Sequence, residues 1–317
     1  MRCWPTKSAG ASRSAMPSPK GSRNPSARSS DTASTIAAAV EACRRRLMPV
    51  ASAPWLEARL LASHVTGLDA SAIVAYGDNI IEPARAQRLA DLTARRLTGE
   101  PLAYIVGFKE FCGLRIVVDD RVLVPRPETE ELVEAIVADW RGRAPEILDL
   151  GTGSGAIACA LARFLPNAKI IATDISEHAL EVARTNVERL LFGERIRVAH
   201  GDLFEAVPAG TTFDVIAANL PYVGDGDDDL EPSVRANEPH VALFGGPDGL
   251  EVFRRVVERA ESYLKPLGAL YCECSPRNAY ELAGIARDAF HGAAVSIASD
   301  VSGRERFVIV RRTVTIS

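Results

Sequence analysis

At 317 residues, with 47% hydrophobic and 25% charged, the chain is long enough for one large or two modest domains with a proper core. Its net charge of −4 divides into +6 over residues 1–30, which hold six Lys or Arg and no Asp or Glu, and −10 over the remainder; that acidic body disfavours a large non-specific nucleic-acid surface. No run nears the roughly 18 apolar residues of a membrane helix, and the N-terminus lacks the apolar segment of a secretory signal, which makes the cytoplasm the expected compartment.

Residues 1–30 are rich in Ser, Pro, Arg and Gly and have few large apolar side chains, so burial cannot offset their ordering entropy and a disordered tail is expected. The Arg and Ser content also suits an organellar transit peptide, although no amphipathic stripe accompanies it and Met16 is an alternative start. From residue 31 to about 100, IAAAVEACRRRL, PWLEARLLASHVTG and EPARAQRLADLTARRLTG repeat apolar residues at spacings of three and four. Pro54 and Pro83 stand where helices start, and Gly67 and Gly99 where they stop, which predicts a small helical domain. His64 reads there as a packed histidine rather than a ligand.

AYIVGFKEFCGLRIVVDDRVLVP, with β-branched and aromatic runs around Gly107 and Gly113, predicts a β-hairpin linker over 101–124. A helix follows that puts Leu132, Val133, Ile136, Val137 and Trp140 on one face. From residue 145, strand candidates (146–150, 169–174, 195–200, 213–219, 269–274) alternate with helical segments near 155–164, 177–190, 249–264 and 277–290, which specifies a parallel sheet covered on both faces. AVSIASD and ERFVIVRR then close the chain as a hairpin at the sheet edge.

Six scattered cysteines argue against a disulfide framework; Cys272 and Cys274, two apart on a strand, read as core packing because the five histidines lie far from them in sequence. The strand at 146–150 runs into Gly151-Thr152-Gly153-Ser154-Gly155-Ala156 at the start of a helix, where glycines let the backbone approach a ligand and the helix end supplies free N–H donors. The motif alone does not separate a dinucleotide from S-adenosylmethionine. Asp174, ending the next strand, is placed to accept ribose hydroxyls, and Asp202 after the third strand is within reach of an adenine amine, so three consecutive strand ends frame one crevice.

The fourth strand ends in Asn219-Leu220-Pro221-Tyr222, which faces the glycine turn if strand order reverses at the first strand. The Asn219 side-chain oxygen and the Leu220 carbonyl are two acceptors able to hold the hydrogens of an NH2 group, with Tyr222 beside the flat group that carries it. Methyl transfer to a delocalised nitrogen needs that orientation, and hydride transfer does not.

With these motifs the sequence resembles the PrmC/HemK family of protein-(glutamine-N5) methyltransferases, from about Trp55 to Arg306, through GEPLAYIVGFKEFCGLRIVVDDRVLVPRPETEELVE, ILDLGTGSGAIACALA, ATDIS, GDLF, NLPY and EPHVALFGGPDGLEVFRRV. The resemblance implies a class I S-adenosylmethionine-dependent methyltransferase, a Rossmann-like, seven-stranded doubly wound α/β sheet over 125–317. Ahead of it stand the hairpin linker and a helical domain over 31–100 that docks a peptide chain release factor. It implies a cytoplasmic monomer with no membrane and no direct nucleic-acid partner, which methylates the glutamine of the factor's GGQ loop. Gly151, Thr152, Gly153, Ser154 and Gly155 would hold the methionine end of the cofactor, Asp174 the ribose, and Asp202 with Leu203 the adenine neighbourhood; Asn219, also counted among the cofactor-binding residues, and the Leu220 carbonyl would hold the target amide, with Pro221 and Tyr222 completing the catalytic turn beside it. Phe111, Arg126 and Glu128 match positions that shape the site. The chain departs from the family at Leu220, where the turn usually reads NPPY, at Leu203, where an aromatic is common, and at Ser275 and Asn278, within a stretch usually closer to E-x-G-x-x-Q. Methylation of another protein's glutamine or of an exocyclic base amine is the alternative reaction, and a non-catalytic binding module that has lost turnover is the alternative class.

Overall fold

The computed structural model describes residues 34–228 and 230–313; the basic stretch 1–30, expected to be disordered, and Cys3 within it lie outside them. The chain divides into two compact units between Thr98 and Gly99.

The first unit is helical: α1 (Ile36–Leu47), α2 (Pro54–Thr66), α3 (Ala70–Ala75) and α4 (Pro83–Leu97). Thr35 caps α1 by accepting from the Ala38 N–H, prolines open α2 and α4, and Gly67 at φ 74° closes α2 with its N–H on the Ser63 carbonyl. Val40, Leu47, Leu61, Leu89 and Leu92 make the core, and Arg96 of α4 holds the largely buried Glu57 of α2 at 2.8 Å. The apolar period misses α3, which has six residues and buries only Ile73; its signal is the Asp69 cap on the Ala72 N–H. His64 is exposed, not packed. It stands two residues beyond buried Ala62, about 200° round the helix from the Ala58–Leu61–Ala62 stripe.

The second unit begins with α5 (Leu102–Val106), a correction to the hairpin expected from AYIVG. The Pro101 carbonyl accepts from Tyr104 and Ile105, and Gly107 at φ 81° ends the turn on the Ala103 carbonyl, so local capping overrides the strand propensity of Tyr-Ile-Val. The hairpin itself is β1 (Phe108–Phe111) and β2 (Leu114–Val117), antiparallel across Cys112-Gly113. The rest alternates: α6 (Pro127–Trp140), β3 (Glu146–Leu150), α7 (Ala156–Phe164), β4 (Lys169–Asp174), α8 (Glu177–Arg189), β5 (Ile196–His200), β6 (Phe213–Asn219), α9 (Pro232–Asn237), α10 (His240–Leu243), α11 (Glu251–Tyr263), β7 (Leu264–Glu273), α12 (Ala279–Ala289), β8 (Ala294–Ser299) and β9 (Glu305–Arg311).

Seven strands form one sheet in the order β5-β4-β3-β6-β7-β9-β8, parallel from β5 to β7 and antiparallel where the closing hairpin joins. Alternate residues separate two cores: Ile147 and Val215 pack toward α6, α7 and α8, while Leu148, Leu150, Ile216 and Leu270 pack toward α11 and α12. Strand β7 starts at Leu264, five residues earlier than its apolar run suggests, because Leu264 pairs with Phe213 before a register shift carries the ladder past Gly268. Succession reverses at β3, whose neighbours are β4 and β6, so a crevice opens beyond the carboxyl ends of these three strands. Five cysteines, Cys43, Cys112, Cys159, Cys272 and Cys274, are free thiols in the cores.

Candidate active site

The β3–β6 register pairs Leu150 with Ala218, so the glycine turn after β3 and the NLPY turn after β6 leave the sheet side by side. Between them lies a cavity of about 260 Å³ lined by Gly151, Thr152, Gly153, Ser154, Asp174, Asp202, Leu203, Asn219, Leu220 and Pro221. Ten of the sequence-predicted residues are thus brought to one place. Gly151 needs its glycine twice over: φ is 66°, and a Cβ there would lie 2.7 Å from the Leu220 Cδ2. At Gly153, by contrast, a Cβ would meet nothing within 4 Å, since that position faces open space.

Asp174 accepts from the Gly153 N–H at 2.8 Å and the Ser176 N–H at 2.9 Å, one bond to each oxygen. Burial raises its pKa and these backbone bonds oppose the rise. A carboxylate has about four acceptor sites, so two remain for a diol. Asp202 is paired with Arg255 of α11, another residue of the cavity wall. Leu203 holds φ 51°, a left-handed conformation that costs a leucine about 1 kcal/mol or more. Beneath the turn, fully buried Asp149 accepts from the Thr152 hydroxyl at 2.6 Å and the Ala158 N–H at 3.2 Å, and desolvation pushes its carboxyl up to about 7.

Two expected residues stand off the wall. Gly155 at φ 77° caps α7 and faces Ala183 of α8, where a Cβ would come within 3.3 Å, so its service is helix packing. The Tyr222 side chain packs against the second core, with Glu273 and Arg306 as charged neighbours, and burial drives its hydroxyl pKa up. Phe111 is buried in the first core, and Glu128 lies 3.6 Å from Arg304 and 3.8 Å from Arg306. Arg126, on the wall, pairs at 2.6 Å with buried Glu238, which also accepts from the Val124 N–H. The VPRPETE and NEPH stretches therefore meet in one ion pair. The FGGPDG loop clasps the NLPY turn: Val223 donates to the Leu243 carbonyl, Gly245 donates to the Val223 carbonyl, and side chains at Gly245 and Gly249 would collide with the Pro221 and Tyr222 carbonyls.

Other wall residues were not foreseen, among them Thr129, Arg121, Val241, Phe244 and Arg255. For Thr129 a signal existed: it falls on the buried stripe of α6, four residues before Val133, and a polar residue on such a stripe needs a partner. That partner is Asn219, whose Nδ2 donates to the Thr129 hydroxyl at 3.0 Å.

A family model described as the PrmC N-terminal domain matches residues 38–107, and one described as a methyltransferase domain matches residues 143–303. The chain is 37% identical to the release factor glutamine methyltransferase of Rhodopirellula baltica over 82% of its own length and 90% of that protein's. It is 44% identical to that of Bordetella pertussis (69% and 81% covered) and 40% identical to that of Deinococcus radiodurans (82% and 91%). The chain belongs to the release factor glutamine methyltransferase family. A Pyrococcus furiosus methyltransferase structure superposes with a TM-score of 0.51 at 23% identity, over 71% of this chain and 100% of that one, which bears out the class I methyltransferase fold.

As a member of this family the protein is a methyltransferase whose methyl donor is S-adenosylmethionine. The cavity fits that group. Gly153 leaves the backbone bare toward it, Asp174 keeps acceptor sites for a ribose diol, and the helix α7 begins directly behind the turn. Among the described residues no cluster of three or more His, Cys, Asp or Glu is arranged to hold a metal ion, and no helix is long and apolar enough to cross a membrane.

Proposed function

We propose that the protein methylates the side-chain amide nitrogen of the glutamine in the GGQ loop of peptide chain release factors, using S-adenosylmethionine. The observation that carries this reading is the juxtaposition of Asn219 and Leu220 with the glycine turn across one cavity wall. Backbone groups from Gly151 to Ser154 hold the methionine end. Asp174 holds the ribose, and Asp202 with Leu203 borders the adenine. When bound, the cofactor supplies an electrophilic methyl group on a sulfonium. The protein's task is then to present a poor nucleophile in the right attitude. Asn219 Oδ1 and the Leu220 carbonyl accept the two amide hydrogens and turn the nitrogen lone pair toward the methyl group, an orientation effect worth several kcal/mol. Pro221 stiffens the turn and Tyr222 backs it from the core side. The nitrogen becomes strongly acidic once alkylated and releases its extra proton to water, so no strong base is needed.

The helical unit up to about residue 100 docks the release factor, and the hairpin, expected as a linker, packs into the core of the methyltransferase unit. In this role the protein works as a cytoplasmic monomer on a protein partner; its net-acidic body disfavours a large non-specific nucleic-acid surface. Incubation with labelled S-adenosylmethionine and purified release factor, followed by mass spectrometry of the GGQ peptide, tests the reading. One added methyl on the glutamine is expected. Label appearing instead on DNA or RNA would overturn it.

A further inference from the structure

Glu273 ends β7 directly beside Asn219. The two are register partners in neighbouring parallel strands, so their side chains project from the same face of the sheet at roughly the 4.8 Å strand spacing. The carboxyl group is fully buried, and neither oxygen completes a hydrogen bond of good geometry in the resting protein. A native fold rarely leaves a buried carboxylate so under-used without a functional reason. Thr129 stands over this pair from the first turn of α6. Its hydroxyl accepts from the Asn219 Nδ2 and lies near enough to the Glu273 carboxyl to oppose the effect of burial on it.

We infer that Glu273 is a positioning residue that acts through Thr129 to hold the Asn219 side chain with its oxygen, and not its NH2 group, toward the substrate amide. The inference rests on the reading of Asn219 as a substrate acceptor. The two ends of an Asn amide have nearly the same shape, so only hydrogen-bond partners decide which end faces the cavity. A hydroxyl has one proton to donate. Given to the Glu273 carboxylate, that proton is withdrawn from Asn219, and Thr129 is left only as an acceptor. It must then take an N–H from Asn219, which sends Oδ1 the other way. A protonated Glu273 lifts this constraint, because it donates to Thr129 and lets the hydroxyl donate to Asn219 in turn.

The polarity of the relay therefore follows the charge of Glu273. Burial pushes its carboxyl up to about 7, with Thr129, Arg306 of β9 and Arg126 pulling it down and Glu128 pushing it further up. Tyr222 and Cys274 also face it. Turnover should accordingly rise with pH through about 7 in the wild type.

Glu273→Gln, Thr129→Val and Thr129→Ser in the full chain test this. Calorimetric affinity for S-adenosylmethionine should stay near the wild-type value in all three, while kcat for release-factor methylation falls by about 10- to 100-fold in Glu273→Gln and Thr129→Val and recovers in Thr129→Ser. The rise through about 7 should vanish in Glu273→Gln. A second readout needs no substrate: hydrogen exchange of the Asn219 side-chain NH2 by NMR should be slow in the wild type and in Thr129→Ser and fast in Thr129→Val and Glu273→Gln. Failure of wild-type protein to methylate a release factor would overturn the substrate reading alone, with the NMR series still deciding the role of Glu273. Unchanged exchange in Thr129→Val, or parallel loss of cofactor affinity and kcat in Glu273→Gln, would overturn the positioning role.

Discussion

Asn219 sits at the end of a buried strand with its Nδ2 committed to Thr129, which leaves one good acceptor for a ligand. Asn219→Ala should therefore lower kcat by about 100-fold while S-adenosylmethionine affinity, measured by calorimetry, is largely kept. Wild-type turnover in this variant would reduce the residue to punctuation after a strand. Leu220 plays a second part that its backbone role hides. Its buried side chain fills the space over Gly151, so the departure from a proline at this position is matched by a bare glycine beneath. Gly151→Ala should destabilise the protein by about 2–3 kcal/mol and abolish cofactor binding, since it combines a positive φ with a 2.7 Å contact to Leu220 Cδ2. Adding Leu220→Ala removes the contact but not the backbone strain. Chemical denaturation of the double variant should thus show partial rescue, with a coupling energy of about 1 kcal/mol, and strictly additive losses would count against this packing.

Elements hold these residues in place through a few buried polar groups. Asn186 of α8 is fully buried. It accepts from the Val117 N–H at 2.7 Å and donates to the carbonyls of Val117 and Ser154 at 2.9 Å each, so one side chain ties the hairpin to the glycine turn. Asn186→Ala should cost about 3 kcal/mol in denaturant unfolding and weaken S-adenosylmethionine binding in step; loss of stability with cofactor affinity intact would uncouple the hairpin from the site. The carboxyl ends of β3 and β7 carry a different load. Asp149 and Glu273 have carboxyls at about 7 in the folded protein against ordinary values of 3.8 and 4.5. Across that window the native state keeps protons that the unfolded chain has released, so each group's contribution to stability declines as pH rises through it and levels off above about 7. Asp149→Asn keeps an acceptor for Thr152 and Ala158 without the buried charge. Thermal melts should show it more stable than wild type by about 2 kcal/mol at pH 8 and similar at pH 4, and a pH profile parallel to wild type would disprove the assignment.

What could be read from residues alone follows the same division. Strands buried on both faces announced themselves as continuous apolar runs; the glycine turn was legible because Gly151, Gly153 and Gly155 all hold positive φ, and NLPY because it closes such an apolar run. Non-local partners were not legible. Nothing in the local sequence says that Glu273 lies beside Asn219 or that Glu238 seeks Arg126 across 112 residues, because strand register and long ion pairs are set by the whole sheet. AYIVG misled for the opposite reason, since its β-branched residues outweighed the proline and glycine that cap it as a helix.

At the scale of the whole molecule, the proposed function divides chemistry and recognition between the two units. The complete cavity, both sheet cores and every residue proposed to hold cofactor or amide belong to the unit beginning at Gly99. The helical unit has its own small core and leaves Trp55, Leu56 and Leu60 of α2 half-exposed, at 50%, 56% and 38%. Exposed apolar side chains gathered on one short helix are a cost in water that a protein partner removes. Residues 99–317 expressed alone should consequently bind S-adenosylmethionine with the affinity of the full chain while losing most methylation of intact release factor. The loss should appear as a raised KM, since the amide-holding turn is retained and only the anchoring contacts are gone. Replacing Trp55 and Leu56 together by Ser in the full chain should reproduce the raised KM without altering kcat. Full activity of residues 99–317 on intact factor would show that recognition resides in the methyltransferase unit itself, and the exposed apolar residues of α2 would then need another partner.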